Sequence, residues 1–214
     1  MKKLILPLVW LAIFLAPSKS NAQSLEAGKI IVDGYYGFGN LYNAIFESLA
    51  SSSGLNITNK FVGPIGVRGE YLISEKVGFG LDLGYSSASM NYNETITSYN
   101  YDNNGLPTMA TTDTYNYSVK SSKIGAMVTF NYHFVESDKF DAYFVTGLGY
   151  GNRTTTYAST YVDYIVPSST SSLFPVAARI GFGMRYFFTE NIGANLGLGL
   201  GQGGLLNVGI TAKF

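Results

Sequence analysis

Leucine and glycine alternate strictly through residues 196–201, LGLGLG, and after the turn residues 202–204, QGG, the same period of two resumes from Leu206 to the last residue, Phe214. A period of two means an extended strand with two unlike faces. Glycine weakens a strand interior, so a strand that is bare on one face and greasy on the other calls for an explanation from its surroundings. Similar alternation recurs along the chain, in residues 29–38, 64–73, 77–86, 124–134, 140–150, 174–188, 192–200 and 206–214. In the third of these, Val77, Phe79, Leu81, Leu83 and Tyr85 share one face, and Gly78, Gly80, Asp82, Gly84 and Ser86 the other. Eight segments of about ten residues have the length and patterning of tilted strands that cross a membrane.

The start of the chain supports export. Lys2 and Lys3 precede an apolar stretch over residues 4–16, followed by small residues at Ser20 and Ala22. This is the pattern of a cleaved secretory signal, expected over residues 1–22, with the barrel domain over 23–214. The mature chain then has 11 Lys and Arg against 14 Asp and Glu, a net charge of −3, which does not suggest nucleic acid as a partner. Cysteine is absent, so disulfides cannot supply rigidity. Beyond the signal no apolar run is long enough for a membrane helix. An exported chain rich in Tyr, Phe and Gly and poor in charge fits the other membrane-spanning solution, a closed barrel.

Connection lengths sort by side. Short links, residues 74–76, 135–139 and 189–191, alternate with long ones near 39–60, 87–123 and 152–173, as periplasmic turns alternate with external loops. A soluble barrel keeps its apolar face inside. Here the charges lie on the face opposite the apolar one, so the greasy face is outside. Aromatics such as Tyr71, Phe79, Phe130 and Phe188 cluster toward the short turns, and Phe38, Tyr85, Tyr150 and Phe174 toward the long loops, giving two interfacial belts. The expected fold is all-β: an eight-stranded antiparallel transmembrane barrel with up-and-down topology.

With GPIGVRGEYLI at 63–73, VGFGLDLGYS at 77–86 and the terminal NVGITAKF, the chain resembles the small bacterial outer-membrane barrels of the OmpA/OmpX type and the porin-like outer-membrane barrel domains common in Bacteroidetes. The resemblance covers nearly all of the mature chain. It implies location in the bacterial outer membrane, contact with lipid bilayer and lipopolysaccharide, and a terminal Phe214 that is read as a signal by the barrel-assembly machinery. It speaks to architecture more than to function, because one scaffold hosts many roles.

The short turns set a register for the lumen. Centring one on Glu75 puts Arg68 opposite Asp82; centring the next on Ser137 puts His133 opposite Asp141; centring the third on Glu190 puts Arg185 opposite Asn195 and Arg179 opposite Gly201. An eight-stranded barrel is just wide enough for side chains to fill, so Arg68, Glu70, Asp82, Asp141, Arg179, Arg185 and His133 are expected to form a charge network that plugs the lumen, with bare glycines making room for the arginines. No catalytic residues, metal ligands or cofactor are expected. Chemistry at the outer leaflet would need a nucleophile within hydrogen-bond reach of His133, and no inward serine stands beside it. The G-x-G-x-x-G at Gly199, Gly201 and Gly204 leads into a strand rather than a helix, unlike a nucleotide loop.

The loops carry the remaining signals. Residues 41–50, LYNAIFESLA, have helical spacing and predict a short helix. Asn104-Gly105, between Tyr- and Thr-rich arms, predicts a hairpin turn at the tip of a protruding ribbon, with the third loop pairing against it. Loops rich in Tyr, Ser, Thr and Asn suit adaptable binding. The expected role is structural or surface-interacting in a monomer, with an extracellular protein partner reached through the loops. The alternatives are a narrow channel for small or hydrophobic solutes and an outer-leaflet lipid-A-modifying enzyme.

Overall fold

In a computed structural model, residues 25–39, 48, 57–137, 139–161 and 169–214 are described. The described strands are β1 (Ile30–Phe38), β2 (Ile57–Ser74), β3 (Val77–Tyr101), β4 (Pro107–Glu136), β5 (Phe140–Ser159), β6 (Ser169–Ser171), β7 (Val176–Phe187), β8 (Ile192–Gly201) and β9 (Leu206–Lys213). They follow the order β4-β3-β2-β1-β9-β8-β7-β5, and a β4–β5 pairing closes the ring. Eight strands therefore form an antiparallel up-and-down barrel, in which closure leaves no free sheet edge for lipid to meet. The short strand β6 lies outside the ring and pairs with β5 through Thr154–Ser171 and Thr156–Ser169. The helix expected over residues 41–50 lies, apart from Ser48, outside the described residues, as does the expected signal segment.

The barrel is inside-out with respect to a soluble core. Leu81 and Leu83 are 63% and 59% exposed, while Asp82 between them is fully buried. The same alternation runs through β7, where Val176, Ala178, Ile180 and Phe182 point out and Ala177, Arg179, Gly181 and Gly183 point in. Such a surface is stable where the surrounding medium is hydrocarbon rather than water.

Closure ties the first and last described strands together. β1 pairs with β9 from Ile31–Lys213 to Phe38–Leu206. Phe214 follows the last residue of β9, but its amide and carbonyl both bond to Ile30, at 2.8 and 3.0 Å.

Wall height is uneven. β8, β9 and β1 span 10, 8 and 9 residues, about one bilayer crossing. β3 and β4 span 25 and 30 residues and stay paired to Tyr101–Pro107, so they continue outward as the expected ribbon. At its tip the Asp102 carboxylate accepts hydrogen bonds from the amides of Asn104 and Leu106, both at 2.8 Å, and Gly105 takes the positive φ the turn requires. Threonine pairs 95–114 and 97–112 and the stacked rings of Tyr92 and Tyr117 lace the arms. The third loop braces the ribbon's base: Asn116 and Thr160 exchange hydrogen bonds, and Tyr161 sets its ring edge-on to Tyr115.

Candidate functional site: the charged lumen

The inward faces of five ring strands, β1, β2, β4, β5 and β7, meet around one guanidinium. Arg185 on β7 donates from Nη2 to Asp33 at 2.8 Å and to Glu70 at 2.7 Å, and from Nη1 to Asp141 at 3.0 Å. Its Nε also reaches Asp33, at 3.1 Å. The Tyr143 ring lies 4.2 Å from Cζ of Arg185, within cation–π range. His133 bridges the other oxygens of two of these acids, with Nδ1 at 2.7 Å from Asp141 and Nε2 at 2.9 Å from Glu70. Carboxylates accept and do not donate when ionised. An imidazolium is the form that donates to both at once. All six residues are essentially excluded from solvent.

A second cluster lies next to it toward the long loops. Arg68 contacts Asp82 through Nε at 3.1 Å and Nη2 at 3.0 Å. It joins the first cluster through Tyr143 Oη at 3.4 Å and Asp33 at 3.8 Å. Asp82 Oδ1 also accepts from Tyr35 Oη at 2.8 Å and Gln202 Nε2 at 2.7 Å. Gln202 sits in the external β8–β9 turn, yet its side chain is buried and folds down into the lumen.

The structure brings together six of the seven expected lumen residues: Arg68, Glu70, Asp82, His133, Asp141 and Arg185. Arg68 faces Asp82 across the β2–β3 ladder, and Arg185 faces Asn195 across β7–β8, in the expected register. Two expectations are corrected. His133 pairs with Tyr143, not Asp141, because a bulge between His133 and Val135 and the turn closed by Ser137 and Phe140 shift the β4–β5 register; the His133 ring still reaches Asp141. Arg179 faces Gly201 as expected but makes no ion pair with any described carboxylate. Its Nη1 donates to the Gln202 carbonyl of the turn above it.

The glycines make room, but not mainly for arginine. A methyl group on Gly183 would overlap the Tyr143 ring, on Gly78 the Glu70 carboxylate, on Gly66 the Tyr35 phenol, and on Gly125 the Gln202 amide. Each of these large side chains lies over a bare position on a strand across or beside it. Among the glycines of residues 196–201, Gly197 clears space for Asn207, while Gly199 and Gly201 back onto the β7 backbone.

Asp33, Tyr35, Tyr143 and Gln202 were missed as members of the network. Asp33 lies directly opposite Arg68 on β1–β2, but the long link between those strands hides the register. Gln202 reads as a turn residue. The one signal for Tyr143 was an inward aromatic two positions from Asp141. Among the described residues no group of three or more His, Cys, Asp or Glu is placed to hold a metal ion.

A closed antiparallel ring with lipid-suited residues outside and a charged filling defines a membrane-spanning β-barrel. Over residues 8–203 the chain matches the family described as outer membrane protein beta-barrel domain, and it belongs to that family; its place is accordingly the outer membrane. No curated protein matches it in sequence. Among solved structures it is similar to the N-terminal β-barrel domain of Pseudomonas aeruginosa OprF, at 15% identity over 89% of this chain and 100% of that one, with a TM-score of 0.44. It is also similar to Escherichia coli outer membrane protein W, at 15% identity over 88% and 99%, with a TM-score of 0.41.

Proposed function

We propose that the protein is a plugged, non-enzymatic outer-membrane barrel that works at the cell surface through its external ribbon, as a structural and recognition element. The observation that carries this reading is the division of labour along the axis: mid-lumen side chains are engaged with one another, whereas the exposed hydrogen-bonding and aromatic groups lie on the ribbon and third loop. Four carboxylates, of Asp33, Glu70, Asp82 and Asp141, meet the cations Arg68, Arg185 and His133 at hydrogen-bond distance, with Arg179 held nearby under the turn. A pair of this kind is costly to break once desolvated, which favours a plug over a gate. His133 has both nitrogens committed to carboxylates, and among the described residues no serine bonds to it, which weighs against a hydrolase triad.

In this reading residues 1–22 direct export and are removed, and the Phe214 carboxy-terminal strand is recognised by the assembly machinery. The barrel is a monomer in lipid and lipopolysaccharide, and the ribbon meets an extracellular protein. The test removes residues 93–114, the outer ribbon. Barrel assembly, read as heat-shifted migration on gels, is expected to persist while surface adhesion falls; unchanged adhesion would sink the recognition role.

The second reading, a narrow solute path, is favoured by buried Thr129, Asn207 and Thr211, each with a side-chain polar atom lacking a protein partner among the described residues. Planar-bilayer recording separates the two. Stable openings that change on Arg185→Gln substitution would support the path and contradict the plug.

A further inference from the structure

Asn104 is the one asparagine in the chain that a glycine follows. It stands at the tip of the ribbon, where residues 101–110 are all exposed. A side chain on the residue after an asparagine shields the peptide nitrogen between them, and glycine has none. A Cβ built on Gly105 would meet nothing within 4 Å, so the Asn104–Gly105 link is open to water. The Asn104 side-chain amide is an acyl group that can release ammonia, and the Gly105 nitrogen is the nucleophile nearest to it along the chain.

Asp102 holds that link still. Its backbone carbonyl accepts from Gly105 N, the nitrogen that would attack, at 3.0 Å. Its carboxylate oxygen Oδ1 accepts from Asn104 N and from Leu106 N, both at 2.8 Å, one on each side of the link. Its own amide donates to the Leu106 carbonyl at 2.8 Å. Ring closure requires the Asn104 side chain and the Gly105 nitrogen to turn toward each other, and these bonds pin the peptide planes that must rotate. The carboxylate also disfavours an amide anion forming beside it, as one negative charge does another.

We infer that Asn104 is a modification site, the place where the ribbon undergoes spontaneous deamidation, and that Asp102 is the latch that sets its pace. The Gly105 nitrogen loses its proton to hydroxide and bonds to Asn104 Cγ. The Cγ–Nδ2 bond breaks, and the amide leaves as ammonia after taking a proton from water, closing an imide ring. Water then opens the ring at either carbonyl. One opening leaves an aspartate at position 104; the other leaves an isoaspartyl link, with the chain running through the side-chain carbon. No oxidant or reductant is needed. Both products add a negative charge to a ribbon whose residues 93–114 already carry Glu94, Asp102 and Asp113 and no lysine or arginine. The isoaspartyl link also lengthens the backbone by a carbon atom inside the turn that Asp102 holds. The tip therefore changes charge and shape with the age of the molecule. The reaction needs no partner at the ribbon, so it is independent of the recognition role proposed above.

The test incubates the full mature chain, folded in uncharged detergent, in warm and mildly alkaline buffer. Peptide mass mapping reads each asparagine, with chromatographic separation of the aspartyl and isoaspartyl forms. The same chain in denaturant is the unlatched reference. Conversion in the folded chain is expected at Asn104 and not at Asn100 or Asn116, which are exposed on the same ribbon but precede tyrosine. It should run several-fold slower than in denaturant. Asp102→Ala should speed it several-fold in the folded chain and leave the rate in denaturant nearly unchanged. Gly105→Ala should suppress it in denaturant, where the turn no longer matters. Conversion at Asn104 no faster than at Asn100 and Asn116 in the folded chain would overturn the site. Equal folded-state rates for the unsubstituted chain and Asp102→Ala would overturn the latch. Heat-shifted migration of every variant certifies that the barrel is assembled.

Discussion

Arg185 faces the carboxylates of Asp33, Glu70 and Asp141, and none of the four side chains is open to solvent. Replacing it by leucine leaves three acids around one histidine. Removing one partner of a buried pair costs about 3–5 kcal/mol, so Arg185→Leu should lower the unfolding free energy measured in urea by that order, or prevent assembly in detergent. Arg179→Leu should cost distinctly less, since the group it leaves behind is a neutral carbonyl. Equal losses from the two variants would show that the ion pairs do not govern stability. The glycines offer a sharper contrast. Gly183→Ala pushes a methyl into the Tyr143 ring, whereas at Gly69 a Cβ meets nothing within 4 Å. Overpacking costs about 1–3 kcal/mol. Gly69→Ala should instead be neutral or stabilising, by up to about 1 kcal/mol. Thermal unfolding of the two variants in the same detergent checks the pair.

At the scale of the element, β3 and β4 carry two jobs on one ladder: wall below, ribbon above. The ribbon's tip hangs on Asp102, whose carboxylate accepts two amides. Asp102→Ala should speed proteolytic cutting within residues 102–106 several-fold while leaving the unfolding temperature of the barrel unchanged; a fall in that temperature would mean that the ribbon and wall unfold as one unit. This ribbon was readable in advance from Asn104-Gly105 and the alternating arms, because local turn chemistry announces itself in sequence. The lumen was readable only where a short turn sets the count. Arg68 with Asp82 and Arg185 with Asn195 follow from three-residue links. His133 was misplaced by a bulge, which no spacing rule reveals. Asp33 escaped altogether: β1 is joined to β2 by a long link and to β9 only by closure, so its neighbours are decided by the whole ring.

On the scale of the whole molecule, the prediction is mechanical and electrical. A barrel with a closed hydrogen-bonded ring and an ionic filling should stay folded in SDS at room temperature and migrate differently after boiling. In planar bilayers it should give no stable openings. Persistent conductance would point instead to the polar strip by Thr129, Asn207 and Thr211. The outline of the molecule was legible from eight alternating segments and sorted loop lengths. The ninth strand, β6, was not, because a three-residue pairing of Ser and Thr has no apolar face to give it away.

The order in which the lumen charges appear along the chain has its own consequence. Asp33, Glu70, Asp82 and Asp141, together with Arg68 and His133, are all contributed by β1 to β5. The two remaining cations, Arg179 and Arg185, arrive only with β7. A sheet halted after β5 would therefore hold an excess of acid on the face that must become dry, and water would be its better solvent. Commitment to the bilayer is then expected to wait for β7, the sixth strand of the ring, so that the charges that fill the finished barrel also disfavour entry into the membrane half-built.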